Sequence, residues 1–177
     1  KFTDAIVEHV KSLRLGPGLE STTDMGPMIG ETYRAKFESH IANAKAHGAK
    51  ILTGGGRPAN LTKGFFHEPT VLSGVDHSMV IMRDETFGPA VPIMEYTTFD
   101  EAVKLTNDCQ YGLGAVLISN DAKKIKQFFD DVKAGTIWIN DPLTDHYAGP
   151  FGGMKYSGGA RELGEEGLDQ FRETKHV

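Results

Sequence analysis

Three features of the sequence predict an α/β protein built on a mostly parallel sheet flanked by helices. First, the apolar runs VPIMEY, GAVLIS and TIWIN alternate with the amphipathic stretches FDEAVKLTND and DAKKIKQFFDDVK, a βαβαβ order that favours parallel strands with right-handed crossovers. Second, both stretches carry helix punctuation. Asp100 and Asp121 open them, where the helix dipole favours negative charge, and Gly112 and Gly135 follow their ends. Third, 177 residues of ordinary globular make-up, 39% hydrophobic and 24% charged, suffice to close one core, so a single domain over residues 1–177 is expected.

The elements ahead of this alternating part follow from local pattern. Phe2, Ile6, Val10 and Leu13 recur at helical spacing, and the breaker Gly16-Pro17-Gly18 ends that helix near Leu15. After a loop rich in Ser, Thr, Asp, Gly and Pro, residues 31–47 form an amphipathic helix with Phe37, Ile41, Ala44 and Ala46 along it and Gly48 placed to stop it. Residues 50–53 read as a short strand closed by Gly54-Gly55-Gly56, and residues 65–72 as an extended segment with Val71 and Leu72 its most buried members. At the other end, the glycine-rich GPFGGMKYSGG runs into a helix over ARELGEEGLDQF, and FRETKHV looks like the start of a further strand.

Composition excludes several classes of partner. A net charge of −5 without a basic stripe argues against binding nucleic acid or an anionic membrane surface. No apolar stretch approaches the roughly 20 residues that cross a bilayer. One cysteine cannot form an intramolecular disulfide, which fits a reducing compartment, and a cytoplasmic location is expected.

Few residues announce chemistry on their own. Cys109 falls at a helix end beside Asp108, where negative charge is the opposite of what a nucleophilic thiolate needs, and reads as a small structural residue. His40 and His47 share a helical face but lack a third ligand, so no metal site is expected. The glycine-rich segment either cradles an anion at a helix start or lets backbone pass close to another surface, and Glu162, Glu165 and Glu166 disfavour the anion. Asp84-Glu85 is either a solvated turn or a sugar clamp, since a carboxylate accepts hydrogen bonds from two vicinal hydroxyls at once.

DETFGP, NDCQYGLGA, GTIWIN, PFGGMKYSGGARELGEEGL and ETKHV stand in the order and approximate spacing found in the C-terminal part of the aldehyde dehydrogenase superfamily. The chain resembles that part over essentially its whole length, and its tail most resembles the betaine-aldehyde and related broad-specificity members. The resemblance implies the catalytic-domain fold of that family and an NAD- or NADP-dependent oxidation of an aldehyde to a carboxylic acid. An upstream cysteine would form a thiohemiacetal and then a thioester, and an upstream glutamate would activate water to hydrolyse it. Residues 1–177 are then expected to be a catalytic-domain fragment, truncated at both ends, without a catalytic residue of its own and inactive alone. Most of the cofactor would be bound by an upstream half.

Carried over residue by residue, the resemblance implies that Glu85 holds the nicotinamide ribose hydroxyls and that Phe87 lies beside the nicotinamide. Phe151 would line the aldehyde pocket, with Asp141, His146 and Tyr147 in the variable wall of the substrate tunnel. The parent protein would be a homodimer or homotetramer. Two other readings remain: an acylating enzyme that passes the thioester to coenzyme A, and a non-catalytic interaction module. Residue order supports only part of this. The loop 140–149 leaves the carboxyl end of strand TIWIN, where open parallel sheets bind ligands, whereas DETFGP precedes its strand and owes its cofactor role to the resemblance.

Overall fold

In the computed structural model, which describes residues 1–177, helix α1 (Phe2–Ser12) turns Val10 inward and leaves Phe2 exposed. Helix α2 (Glu31–Ala46) buries Phe37, His40, Ile41 and Ala44 on one face. Ala46, expected on that face, is exposed. Gly48 ends α2 with φ +99, a left-handed conformation that a Cβ would disfavour, as its place after the helix predicts. Strands β1 (Lys50–Thr53), β2 (Thr70–Ser73) and β3 (Ala90–Ile93) form one sheet in that order, β1 antiparallel and β3 parallel to β2. A 3-10 turn, Val80–Met82, precedes β3. Phe37, Ile41, Leu72, Val75, Met79 and Ile81 close the core between α2 and this sheet, and Val71 and Leu72 are fully buried, as expected.

The chain divides into two compact units, Lys1–Glu95 and Tyr96–Val177. In the second, helix α3 (Phe99–Asn107) starts at Thr98, whose side chain accepts from the Glu101 amide. Strand β4 (Tyr111–Gly112) is followed by β5 (Gly114–Leu117), helix α4 (Ala122–Asp131), capped by Asp121, and β6 (Thr136–Ile139). Strands β5 and β6 pair in parallel. Their alternation sends Ala115, Leu117, Ile137 and Ile139 onto Val103, Phe128, Val132 and Ala134, the second core.

The α/β class holds, and the structure refines its details. The strands VPIMEY, GAVLIS and TIWIN do not share one sheet: β3 pairs with β2, and β5 with β6. The helix expected from Ala160 is replaced at its start by strand β9 (Arg161–Glu162), antiparallel to β7 (Phe151–Gly152), while β8 (Met154–Lys155) pairs with β4. Helix α5 spans only Gly164–Asp169. The sequence ARELGEEGL has ample helix propensity, but pairing of Arg161 and Glu162 with β7 engages their backbone in a ladder instead of a helix turn. Residues 171–177 form no strand.

Candidate functional site

In the first unit, the loop between the 3-10 turn and β3 carries Glu85 and Phe87, and α2 lies against it. Tyr33, Lys36, Phe37 and His40 recur at the spacing that aligns side chains on one helical face. Lys36 Nζ donates to the Glu85 carbonyl at 2.6 Å. His40 Nδ1 and Thr86 Oγ1 are 3.1 Å apart. The Tyr33 and Phe87 rings lie 6.1 Å apart, tilted by 50°. At Gly88 the backbone passes so close to Phe37 that a Cβ would come within 2.2 Å of Cδ2, so this position requires glycine. Pro89 then leads into β3 as its carbonyl accepts from the Thr70 amide at 2.8 Å.

Two features of this loop suit ligand contact. Glu85 is exposed, and the bond that fixes it runs to its backbone carbonyl and not to its carboxylate. Phe87 is 59% exposed and holds φ +46, a left-handed conformation costly for an aromatic residue and retained only where the surroundings enforce it. Beside it, Met25, Pro27, Met28, Ile29, His67 and Phe87 line a largely apolar groove of about 390 Å³. The far wall of the groove follows a loop clamped by Arg14, whose Nε and Nη2 donate to the Asp24 carboxylate at 2.8 and 2.9 Å. These bonds hold the Asp24 carboxyl well below the usual carboxylate range.

Burial of His40 is expected to make stability depend on pH. Burial, with Lys36 adding like charge, pushes its imidazole below the ordinary 6.5, against the opposing pull of Asp84. The unfolded chain therefore takes up the proton before the native state does. Stability is fully kept above pH 6.5 and falls as pH drops below it toward the folded-state value. Urea midpoints are expected to decline as pH falls below about 6.5, and less steeply in His40→Asn. An equal decline in that variant would exclude His40 as the cause.

In the second unit, Phe151 is half-buried at the start of β7, with its ring 6.5 Å from that of Trp138. Trp138 lies on the opposite face of β6 from the core residues Ile137 and Ile139, and its Nε1 donates to the Thr144 carbonyl at 2.9 Å. The loop it anchors begins at Asn140, whose side chain exchanges two hydrogen bonds with the Ser119 backbone at 2.8 and 2.9 Å. That exchange joins the carboxyl ends of the parallel strands. Asp141, His146 and Tyr147 are all exposed, and the rings of the latter two stack at 4.4 Å.

The predicted cofactor residues thus share one loop of the first unit, and the four predicted substrate residues cluster in and after one loop of the second. Sequence reasoning passed over Lys36, Tyr33 and Trp138. The stripe at 33, 36, 37 and 40 and the alternation within TIWIN were the signals that mark them. Cys109 is half-buried; its Sγ accepts from the Tyr111 amide at 3.4 Å and its carbonyl from Lys155 Nζ at 2.9 Å, consistent with a structural residue. Of the readings of the glycine-rich segment, close backbone passage is seen at Gly152, where a Cβ would meet the Ala160 carbonyl at 2.2 Å.

The model of the aldehyde dehydrogenase family matches residues 1–177. A peroxisomal aminoaldehyde dehydrogenase of Pisum sativum is 42% identical over the whole of this chain and 35% of its own length. A chloroplastic aminoaldehyde dehydrogenase of Arabidopsis thaliana is 40% identical over the same shares. A crystal structure of betaine aldehyde dehydrogenase from Staphylococcus aureus in complex with NAD+ superposes with a TM-score of 0.90 at 43% identity, covering 96% of this chain and 34% of that one. The chain spans about a third of the length of the curated relatives it matches. The peroxisomal and chloroplastic relatives overturn the expected cytoplasmic location. A single cysteine rules out an internal disulfide, which does not distinguish one reducing compartment from another.

Proposed function

The chain belongs to the aldehyde dehydrogenase family, and on that premise we propose that residues 1–177 form part of the catalytic domain of an enzyme that oxidises an aldehyde to a carboxylic acid with NAD+ or NADP+. Glu85 accepts hydrogen bonds from the nicotinamide ribose hydroxyls, and the Phe87 ring borders the nicotinamide. The cofactor, when bound, accepts the hydride of the aldehyde carbon. The one observation that carries this reading is the 85–88 loop: an exposed carboxylate whose fixing bond leaves its oxygens available, two residues before an aromatic held in a left-handed conformation. A carboxylate is acceptor-only and suits a vicinal diol, which fits the group.

Phe151 and Trp138 border the aldehyde, with Asp141, His146 and Tyr147 in the wall of its entrance. The relatives are named for aminoaldehydes and betaine aldehyde. An exposed aromatic ring at Tyr147 and an exposed carboxylate at Asp141 in the same loop suit positively charged substrates, because a ring face and a carboxylate both attract positive charge. Cys109 is not the nucleophile in this reading. The thiol that attacks the aldehyde, and the glutamate that activates water, come from outside residues 1–177, which alone are inactive. The whole enzyme is a homodimer or homotetramer.

In the full-length protein carrying these residues, Glu85→Gln keeps the shape and removes the charge. It is expected to lower kcat/KM for the cofactor by about 10- to 100-fold, the size of a charge-assisted hydrogen bond, with little change in thermal midpoint. Steady-state kinetics with NAD+ and with NADP+ check this, and unchanged values with both would remove Glu85 from the cofactor site.

A further inference from the structure

We infer that the face of α2 carrying Tyr33, Lys36, Phe37 and His40 positions the cofactor loop, with Lys36 and His40 as positioning residues that hold it without touching the ligand. The inference rests on the reading of Glu85 and Phe87 proposed above. Its basis is a one-to-one correspondence. Each of the four successive loop residues is met by a different side chain from one helical stripe: Glu85 by Lys36, Thr86 by His40, Phe87 by Tyr33 and Gly88 by Phe37. These partners are 46 and 49 residues apart in sequence at the two polar contacts, so chain connectivity does not bring them together.

The chemistry of each contact leaves the recognising groups free. An ammonium has donors only, and had Lys36 paired with the Glu85 carboxylate it would compete with ligand hydroxyls. It binds the carbonyl of that residue instead, in a charge-assisted bond that holds the backbone at 85 and leaves the carboxylate open. His40 is buried, so its bond to Thr86 is shielded from water and pins the residue between the two that face the ligand. Phe87 needs such support, since an aromatic residue at φ +46 relaxes unless its neighbours on both sides are held. With residues 85, 86 and 88 fixed to α2, the left-handed conformation at 87 is the one that connects them.

The test uses the full-length protein with two mild variants and their conservative counterparts. Lys36→Met removes the donor at an exposed position, and Thr86→Val removes the hydroxyl at nearly constant volume; Lys36→Arg and Thr86→Ser restore them. One readout needs no cofactor: the rate of limited chymotryptic cleavage after Phe87, which follows the population of the released loop. The other is the KM for NAD+ set against the KM for the aldehyde. Lys36→Met and Thr86→Val are expected to raise the cleavage rate and the KM for NAD+ about fivefold each, the equilibrium change of one lost hydrogen bond. The KM for the aldehyde stays constant, and the conservative variants return both values to wild type.

Cleavage after Phe87 that stays at the wild-type rate in both variants overturns the inference. So does faster cleavage with an unmoved KM for NAD+ when Glu85→Gln does shift that KM, because the loop then recognises the cofactor without being held. An unmoved KM for NAD+ in Glu85→Gln itself overturns instead the reading of Glu85 on which the inference rests.

Discussion

Phe37→Ala is expected to destabilise the protein by about 3–5 kcal/mol, against the roughly 5–15 kcal/mol of net stability that a typical fold possesses. Phe37 has no exposed surface, and its ring meets that of His67 edge-on with centroids 4.6 Å apart. It also forms the surface on which Gly88 rests. Truncation leaves a cavity between α2, the sheet and the loop, and the surrounding helix and strands are too tightly connected to close it fully. Phe37→Leu fills most of the volume and should cost about 1.5 kcal/mol or less. Denaturant midpoints at constant slope measure both. A loss below about 1 kcal/mol for the alanine variant would mean that the loop, and not the core, carries this end of the unit.

Gly135→Ala should have an effect of similar size in the second unit, about 3 kcal/mol from overpacking. A Cβ at position 135 would lie 1.8 Å from the Gly152 carbonyl oxygen and 2.6 Å from its carbon. The obstacle is backbone, which cannot rotate away as a side chain does, so the chain around 135 and strand β7 must separate. The amide of Gly135 also donates to the Gly112 carbonyl at 3.0 Å, so the displacement strains a hydrogen bond as well. Because Gly152 follows Phe151, the shift reaches the aromatic pair. Trp138 is the only tryptophan, and its emission should move together with the fall in thermal midpoint. A variant with wild-type midpoint and emission would show that the two backbones are not in contact.

Local pattern made much of the secondary structure legible. The apolar stripe of α2, the strand at residues 50–53 and the glycine stop at 48 were readable because helix periodicity and left-handed caps involve residues within one or two turns. The same holds for Asp121, an acid opening α4 where the helix dipole favours negative charge. Glu85, Phe87 and Phe151 were singled out because their motifs resemble a family, and no spacing argument alone would have separated Asp84-Glu85 from a solvated turn.

The sequence by itself therefore determined the class of the fold, most helix and strand positions and the family, all of which rest on short-range order or on runs of matching residues. Tertiary structure alone decided that the alternating strands divide between two sheets, that Arg161 and Glu162 pair as a strand instead of opening a helix, and that α2 meets the 85–88 loop. Each of these is a contact between segments distant along the chain. Its formation depends on which backbone groups and side chains the whole packed structure leaves unsatisfied, and no window of neighbouring residues contains that information.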